Sequence, residues 1–480
     1  MNEPVRSETA VPEAPERRGF WSSVRESLAG SSQDFTRGPI GRSVLLLAVP
    51  MVLEMSMESL FGIVDVYFVS QLGADAVATV GLTESFLTIL FAVAIGLSMS
   101  TTAIVARRTG EKDSDGAART AAQAMGLGAI VSILVSIAGF FAAPALLHAM
   151  GASEGVVSTG TGYTTVMLVG NITIVFLFLL NAVFRGIGDA AIAMRVLVLG
   201  NAINIVLDPC LIFGWGPFPE MGLTGAAVAT NIGRGTAVAY QLYVLFGGKS
   251  RIRVAPRHLA LDPRVMANLV RVSIGGILQF LIATASWLGL VRILAMFGSA
   301  ALAGYTIALR IIIVALLPSW GLSNAAATMV GQSLGARDPA RAERAVWITA
   351  FLNMGFLALV SVVFIVFPAP IISLFATEAV DPAVLPIGVD CLRYVSYGYV
   401  AYALGMVLVQ AFNGAGDTFT PTVINLCCYW LFQIPLAFTL ARWAELGPRG
   451  VFLAITIAES LIAVVGLIVF RRGKWKTRHV

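Results

Sequence analysis

The chain has 480 residues, 57% of them hydrophobic and only 12% Asp, Glu, Lys or Arg, with a net charge of +5. An ordinary soluble domain carries about 25% charged residues. Apolar runs of about 18 or more residues recur along most of the length, each long enough to cross a hydrocarbon core as a helix, which excludes a soluble globular enzyme.

Residues 1–43 are polar, rich in Pro, Ser, Glu and Arg, and lack the apolar core of a signal peptide; they read as a disordered cytoplasmic tail. Within it FWSSVRESL (20–28) has the pattern of a short interfacial helix. Twelve spans follow, at about 44–69, 77–104, 118–143, 156–184, 190–213, 223–246, 265–297, 301–330, 342–367, 384–412, 419–441 and 450–470. The chain thus divides into the tail, a first half (44–246), a cytoplasmic linker (247–264), a second half (265–470) and a basic tail (471–480). Connections are too short for a separate soluble domain. Cys210, Cys391, Cys427 and Cys428 all fall in spans and read as small packing residues. Lys and Arg crowd one side of the spans, with only Arg442 and Arg449 in loops on the other. This bias predicts a multi-pass protein of the cytoplasmic membrane with both termini in the cytoplasm. It also accounts for the net positive charge, so no nucleic-acid partner is expected.

The halves repeat each other. VARRTGEKDSDGAAR (105–119) aligns with VGQSLGARDPARAER (330–344) at a shift of 225, and RGIGD (185–189) with NGAGD (413–417) at 228. In each five-residue motif the glycines are suited to end one helix and the aspartate to cap the next. Six spans per repeat is an even number, so the halves are parallel, an arrangement used by transporters that alternate access between two lobes.

The first span, VPMVLEMSMESLFGIVDVYFVSQLG (49–73), carries Glu54, Glu58 and Asp65. At 100° per residue these share a stripe about 40° wide, with Pro50 beside it. Ionisable groups in spans face a bundle interior or cavity. Glu54 and Glu58, with Met51 and Met55, are therefore candidates for a substrate-cavity wall, joined from the second half by Gln279, the repeat counterpart of Glu54. Pairing with Arg195, Arg234, Arg292 or Arg310 is the competing structural reading. In the fifth span Asn201, Asn204 and Asp208 fall on one face, and Pro209 frees the carbonyl of Ile205. An acid, amides and a freed carbonyl suit a proton or small cation, and Asn181 and Thr230 are the candidates to complete the cluster. At the shift of 225, Asp65 becomes Leu290 and Asp208 becomes Gln433, which places ion coupling in the first half.

At these residues the sequence resembles the multidrug and toxic compound extrusion (MATE) transporters, over about residues 40–470. The marks are Pro50 and Asp65 fifteen residues apart, RGIGD, and NIVLDPCLIFG with GLTGAAVAT (204–230). The resemblance is greatest to the DinF-like branch. It implies an all-α membrane protein of twelve transmembrane helices in two pseudo-symmetric six-helix lobes, and export of organic, often cationic, compounds driven by H+ or Na+ uptake. It places the ion site on Asp65, Asn181, Asn204, Asp208 and Thr230, with Pro50 as a hinge. NorM-type relatives also carry acids in the seventh and tenth helices; here the seventh has Gln279 and YVAYALGM (399–406) has none, so a second-half cation site of that type is not expected.

The reading is thus a secondary antiporter, coupled to H+ in preference to Na+, acting as a monomer on small molecules in the bilayer. It is not an enzyme: a phosphate-cradling GxxxxGK[ST] loop is absent, as are a catalytic triad and a metal-ligand cluster. A lipid-linked saccharide flippase is the alternative, disfavoured by acids in the cavity stripe. A channel or membrane enzyme is disfavoured by the repeat.

Overall fold

Glycine and aspartate residues 225 positions apart set where the long helices of the two halves stop and start. The computed structural model describes residues 20–31, 33–374 and 382–478. A short α1 (Phe20–Ala29) precedes the first lobe, which comprises α2 (Ile40–Ser70), α3 (Ala74–Gly110), α4 (Ser114–Ala149), α5 (Glu154–Val169), α6 (Ile172–Gly186), α7 (Ala190–Phe213) and α8 (Leu223–Phe246). The second comprises α9 (Pro263–Ala295), α10 (Ser299–Gly335), α11 (Pro339–Val366), α12 (Pro368–Ser373), α13 (Val384–Ser396), α14 (Tyr399–Gly414), α15 (Phe419–Asn425), α16 (Ile434–Phe438) and α17 (Pro448–Arg471). α15 and α16 belong to one rod, Phe419–Trp443, whose stretches Leu426–Gln433 and Thr439–Trp443 are π-helical.

Among the described residues ten rods are long and apolar enough to cross a membrane, α5 with α6 counting as one, and α13 with α14 form an eleventh bent by 57°. The twelfth is α8. Its glycines, threonines, Asn231, Arg234 and Gln241 make it less apolar, and it lies along α7 within the lobe. Where α5 passes into α6 the broken ladder is mended by Asn171, whose amide donates to the carbonyls of Leu168 (2.7 Å) and Ser132 (3.0 Å).

The repeat is visible in the helix ends. Asp113 accepts the N–H of Gly116 at the start of α4, and Asp338 that of Arg341 at the start of α11, both at 2.8 Å. Gly188 and Gly416 take left-handed φ values of 83° and 81° just past α6 and α14, as the RGIGD and NGAGD motifs predict. The aspartates of those motifs differ. Asp417 accepts from the Thr420 N–H, whereas Asp189 makes no capping bond and faces Arg251 and Arg195 instead. The capping role expected of Asp189 is thereby corrected; two basic neighbours compete for its carboxylate.

The lobes meet where α3 packs on α9 and α10, and α2 on α10. Contact is closest near the ends of α3 and α10. A Cβ on Gly110 would stand 2.0 Å from the Gln332 carbonyl oxygen, and one on Gly335 2.2 Å from that of Arg107, so backbones touch there without side chains between them. Gln332 and Thr328 on α10 also donate to the carbonyls of Gly186 and Arg185 at the end of α6, the second of which also accepts the N–H of Gly188.

Both described ends of the chain lie on this side. Lys476 pairs with Glu343, and Arg478 lies 3.4 Å from Asp417. The expectation of disorder across 1–43 does not hold for residues 20–31 and 33–43; residues 1–19 lie outside the described residues. After α1 the chain crosses from one lobe to the other. Asp34 pairs with Lys112 (2.6 Å) and Arg195 donates to the Leu28 carbonyl, both on the first lobe, and Arg251 of the linker that follows α8 donates to that of Ser31. On the second lobe Arg341 donates to the carbonyls of Phe35, Arg37 and Gly38 at 2.9–3.0 Å. Phe35 is buried beneath this segment. A single arginine with a planar fork of donors can satisfy three carbonyls of a tight loop at once, which explains why so polar a segment packs.

Candidate ion and substrate site

Residues four apart on a helix share a face, and α6 presents Asn181 and Arg185 together. Both reach the buried Glu54 on α2: Arg185 donates to Glu54 Oε1 at 2.7 Å and Asn181 at 2.9 Å. Arg185 also donates to Ser98 on α3, and Asn181 accepts from Gln241 on α8 at 2.6 Å. Four helices are thus tied by one polar network, in which Glu54 Oε2 has no hydrogen-bond partner. Asn181 belongs here rather than with the α7 amides, a correction to the grouping expected from sequence. Glu54 draws its amide to the α2 side, and Gln241 holds it there.

The α7 cluster forms in part. Asn204 donates to Asp208 Oδ1 at 3.1 Å and faces Thr230 Oγ1 at 3.4 Å. These two hydrogen bonds leave Asp208 Oδ2 and Asn204 Oδ1, both buried, without a partner. Pro209 lies inside α7 and can offer no N–H to Ile205. Asn201 turns away to the Met57 carbonyl at 2.9 Å, closing α7 onto α2. Asp65 has Arg234, Glu84 and Asp208 as charged neighbours. The cluster read as five residues is therefore Asn204, Asp208 and Thr230, with Asp65 an electrostatic neighbour. Pro50 is buried inside α2, which continues through it as one helix.

Between the lobes lies a cleft lined by Glu54, Met55, Glu58, Arg185, Arg234 and, from α10, Trp320. Glu58 faces Arg234 at 3.9 Å, and Arg234 also sits 5.0 Å above the Phe61 ring. Two acids meet two arginines, so Glu54 and Glu58 do not give this cleft the net negative wall expected of them. Met51 is not on the cleft. It is buried in the lobe contact, its carbonyl against Gly321, because α2 turns that face to α10. Gln279 is buried in the second lobe, where it and Asn413 exchange amide hydrogen bonds at 3.1 and 3.3 Å.

Sequence reasoning missed Arg185 and Glu459. Arg185 stands in the RGIGD motif, where the arginine itself was the signal. Glu459 lies in the last span on α17, accepts a hydrogen bond from Tyr429 at 3.1 Å, and aligns with Arg234 at the shift of 225.

A family model described as MatE matches residues 50–210 and 276–439. The probable multidrug resistance protein NorM of Thermotoga maritima is 26% identical over 448 residues, covering 92% of this chain and 94% of that protein. A protein of Shewanella oneidensis described as an FAD transporter is 28% identical over 429 residues, covering 89% and 93%. A solved structure, described as the outward-facing conformation of a multidrug resistance MATE family transporter of the MOP superfamily, superimposes with a TM-score of 0.86 at 27% identity, covering 92% of this chain and 98% of that one. The two matched stretches run through both lobes and take in Pro50 to Asp208 and Gln279 to Gln433, though not Thr230, Arg234, Gln241 or Glu459, and with twelve helical rods in two repeated lobes the chain belongs to the MatE family of membrane transporters.

Proposed function

We propose that this transporter exports amphipathic, often cationic, small organic molecules from the cytoplasm in exchange for H+, with Na+ as the second choice of ion. The carrying observation is the Asn204–Asp208–Thr230 cluster, in which two buried acceptor oxygens have no partner. A carboxylate so placed calls for a proton or a cation. A proton needs one acceptor oxygen and a metal ion needs a shell of them, so two free oxygens favour the proton. The multidrug resistance relatives support drug efflux as the purpose. The basic loops on the side of the termini support a cytoplasmic location for that side. Neutralising Asp208 and Asp65 removes charge between α2 and α7. α2 then moves at Pro50, where one turn already lacks a hydrogen bond.

In proteoliposomes an imposed H+ gradient should drive efflux of a cationic dye, and Asp65→Asn and Asp208→Asn should each abolish it while helical content is kept. Efflux driven by a Na+ gradient alone, or normal uphill efflux by both variants, would contradict the reading. The arginines of the cleft and the FAD transporter among the relatives favour a second reading, an anionic nucleotide-sized substrate. Competition of FAD against the dye separates the two.

A further inference from the structure

The cleft does not end at the lobe boundary. Met99, Trp320 and Gln410 line both it and a cavity inside the second lobe, and that cavity shares Tyr402, Tyr429 and Glu459 with another reaching Trp287 and Tyr399. Among the described residues that line these two inner cavities, Glu459 is the only charged one. In the central cleft each acid meets an arginine; here nothing offsets the carboxylate except the Tyr429 hydroxyl.

The wall beside Glu459 is built by an irregular helix. Ile434 donates its N–H to the carbonyl of Tyr429, five residues back, and the next residue, Pro435, has no N–H to give. The wider π turn shifts the side-chain register from that of an α-helix, and such turns recur at functional sites. Tyr429 and Gln433, both on it, line the cavity. Aromatic faces attract cations, most strongly where water is excluded, and a lone buried carboxylate is stable only when a proton or cation neutralises it.

We infer that the second-lobe cavity is a binding site for a bulky organic monocation, with Glu459 as its counter-charge and Tyr402, Tyr429, Tyr399 and Trp287 as its walls. Its physiological purpose rests on the export reading; binding itself needs no gradient. Entry of the cation displaces the proton that otherwise neutralises Glu459, and that proton leaves to solvent. The other titratable groups at the cavity are Tyr402 and Tyr399 on α14, Tyr429 with Cys428 close by on the π segment, and Tyr305 on α10, while α9 and α13 present none. At ordinary values none of these changes charge between about pH 5.5 and 7.5, so a pH dependence of cation binding over that range belongs to competition between proton and cation for the Glu459 carboxylate.

The test is equilibrium binding of tetraphenylphosphonium to the purified full chain, with the neutral triphenylphosphine oxide as control. Glu459→Gln is expected to weaken phosphonium binding about tenfold or more while leaving the phosphine oxide unchanged, and Glu459→Asp to keep most of the affinity. Lowering the pH from about 7.5 to about 5.5 should weaken the wild type and not Glu459→Gln. Unchanged phosphonium affinity in Glu459→Gln overturns the inference. So does an equal loss for both ligands, which makes Glu459 structural. Because no gradient is applied, failed coupling in the efflux assay leaves this site standing, and failed binding here leaves the coupling site standing.

Discussion

Glu54 and Gln279 correspond at the shift of 225, and Arg185 and Asn413 at 228. One lobe joins its pair as ions at 2.7 Å, the other as exchanged amides at 3.1 and 3.3 Å. Removing one partner of a buried ion pair strands the other charge, at a cost of about 3–5 kcal/mol, whereas replacing both with neutral groups of like shape is close to neutral. Arg185→Ala should therefore lower thermal stability in detergent by that order. The double variant Glu54→Gln with Arg185→Asn, which copies the second lobe, should recover part of that loss, the remainder reflecting the volume by which asparagine falls short of arginine. If the double variant is as unstable as the single, the pair contributes through its charge and the parallel between lobes is superficial. The Asn204–Asp208 contact was legible in the sequence because the residues stand one helical turn apart. Arg185 as the partner of Glu54 was not, because 131 positions separate them and only the tertiary fold, in which α6 and α2 both pack on α3, brings them together. Glu459 was hidden for the same reason, although its alignment with Arg234 already marked a reversal of charge between the halves.

At the scale of elements, the helix boundaries were the most legible part. Spacings of 225 fix the ends of α3 with α10 and of α8 with α17 to the residue, since the same glycines and caps recur. The π segments were not legible, because periodicity over eight residues cannot separate 3.6 from a wider turn. Pro435 gives the segment a local cause. Pro435→Ala restores the N–H and should let Leu426–Gln433 relax toward an α-helix, turning Tyr429 away from Glu459. Tyrosine fluorescence or a distance measured between labels on α16 and α17 would register the change. A segment unmoved by the substitution would show that lobe packing, and not the proline, holds the wide turn.

At the scale of the whole molecule, the segment after α1 is held by both lobes, so the lobes cannot part on that side until it lets go of one. Arg341→Ala removes three bonds to its carbonyls and should raise hydrogen exchange over residues 33–38 several-fold. The opposite anchor carries a pH signature. Burial alone would raise the Asp34 carboxyl, but hydrogen bonds from Lys112 and Thr36 prevail and hold it down to about 2. A carboxyl depressed in the folded state contributes fully above its ordinary value of 3.8, and that contribution fades as pH falls from there through about 2. Exchange of this segment, corrected for intrinsic rates, should thus stay flat from about pH 8 to about pH 5 and rise only in stronger acid. A rise near neutrality would mean that a different group governs release.

The bare backbone contact at Gly110 and Gly335 turns the closed end into a wedge point. A methyl at 2.0 Å from a carbonyl oxygen finds no rotamer to escape into, because the obstruction is main chain on both sides. Alanine at either position works like a spacer of one carbon, and at both positions like two spacers a turn of the pseudo-twofold apart. The population could in this way be dialled toward the form open on the side of the termini without touching a single polar residue of transport. Alkylation of a cysteine introduced at Ala327, deep in the cleft, would report the setting of the dial from that side. Such a chain would be a stationary reagent: folded, with every polar side chain of its cleft in place, and held open in one direction for the isolation of binders to a face that the closed form conceals.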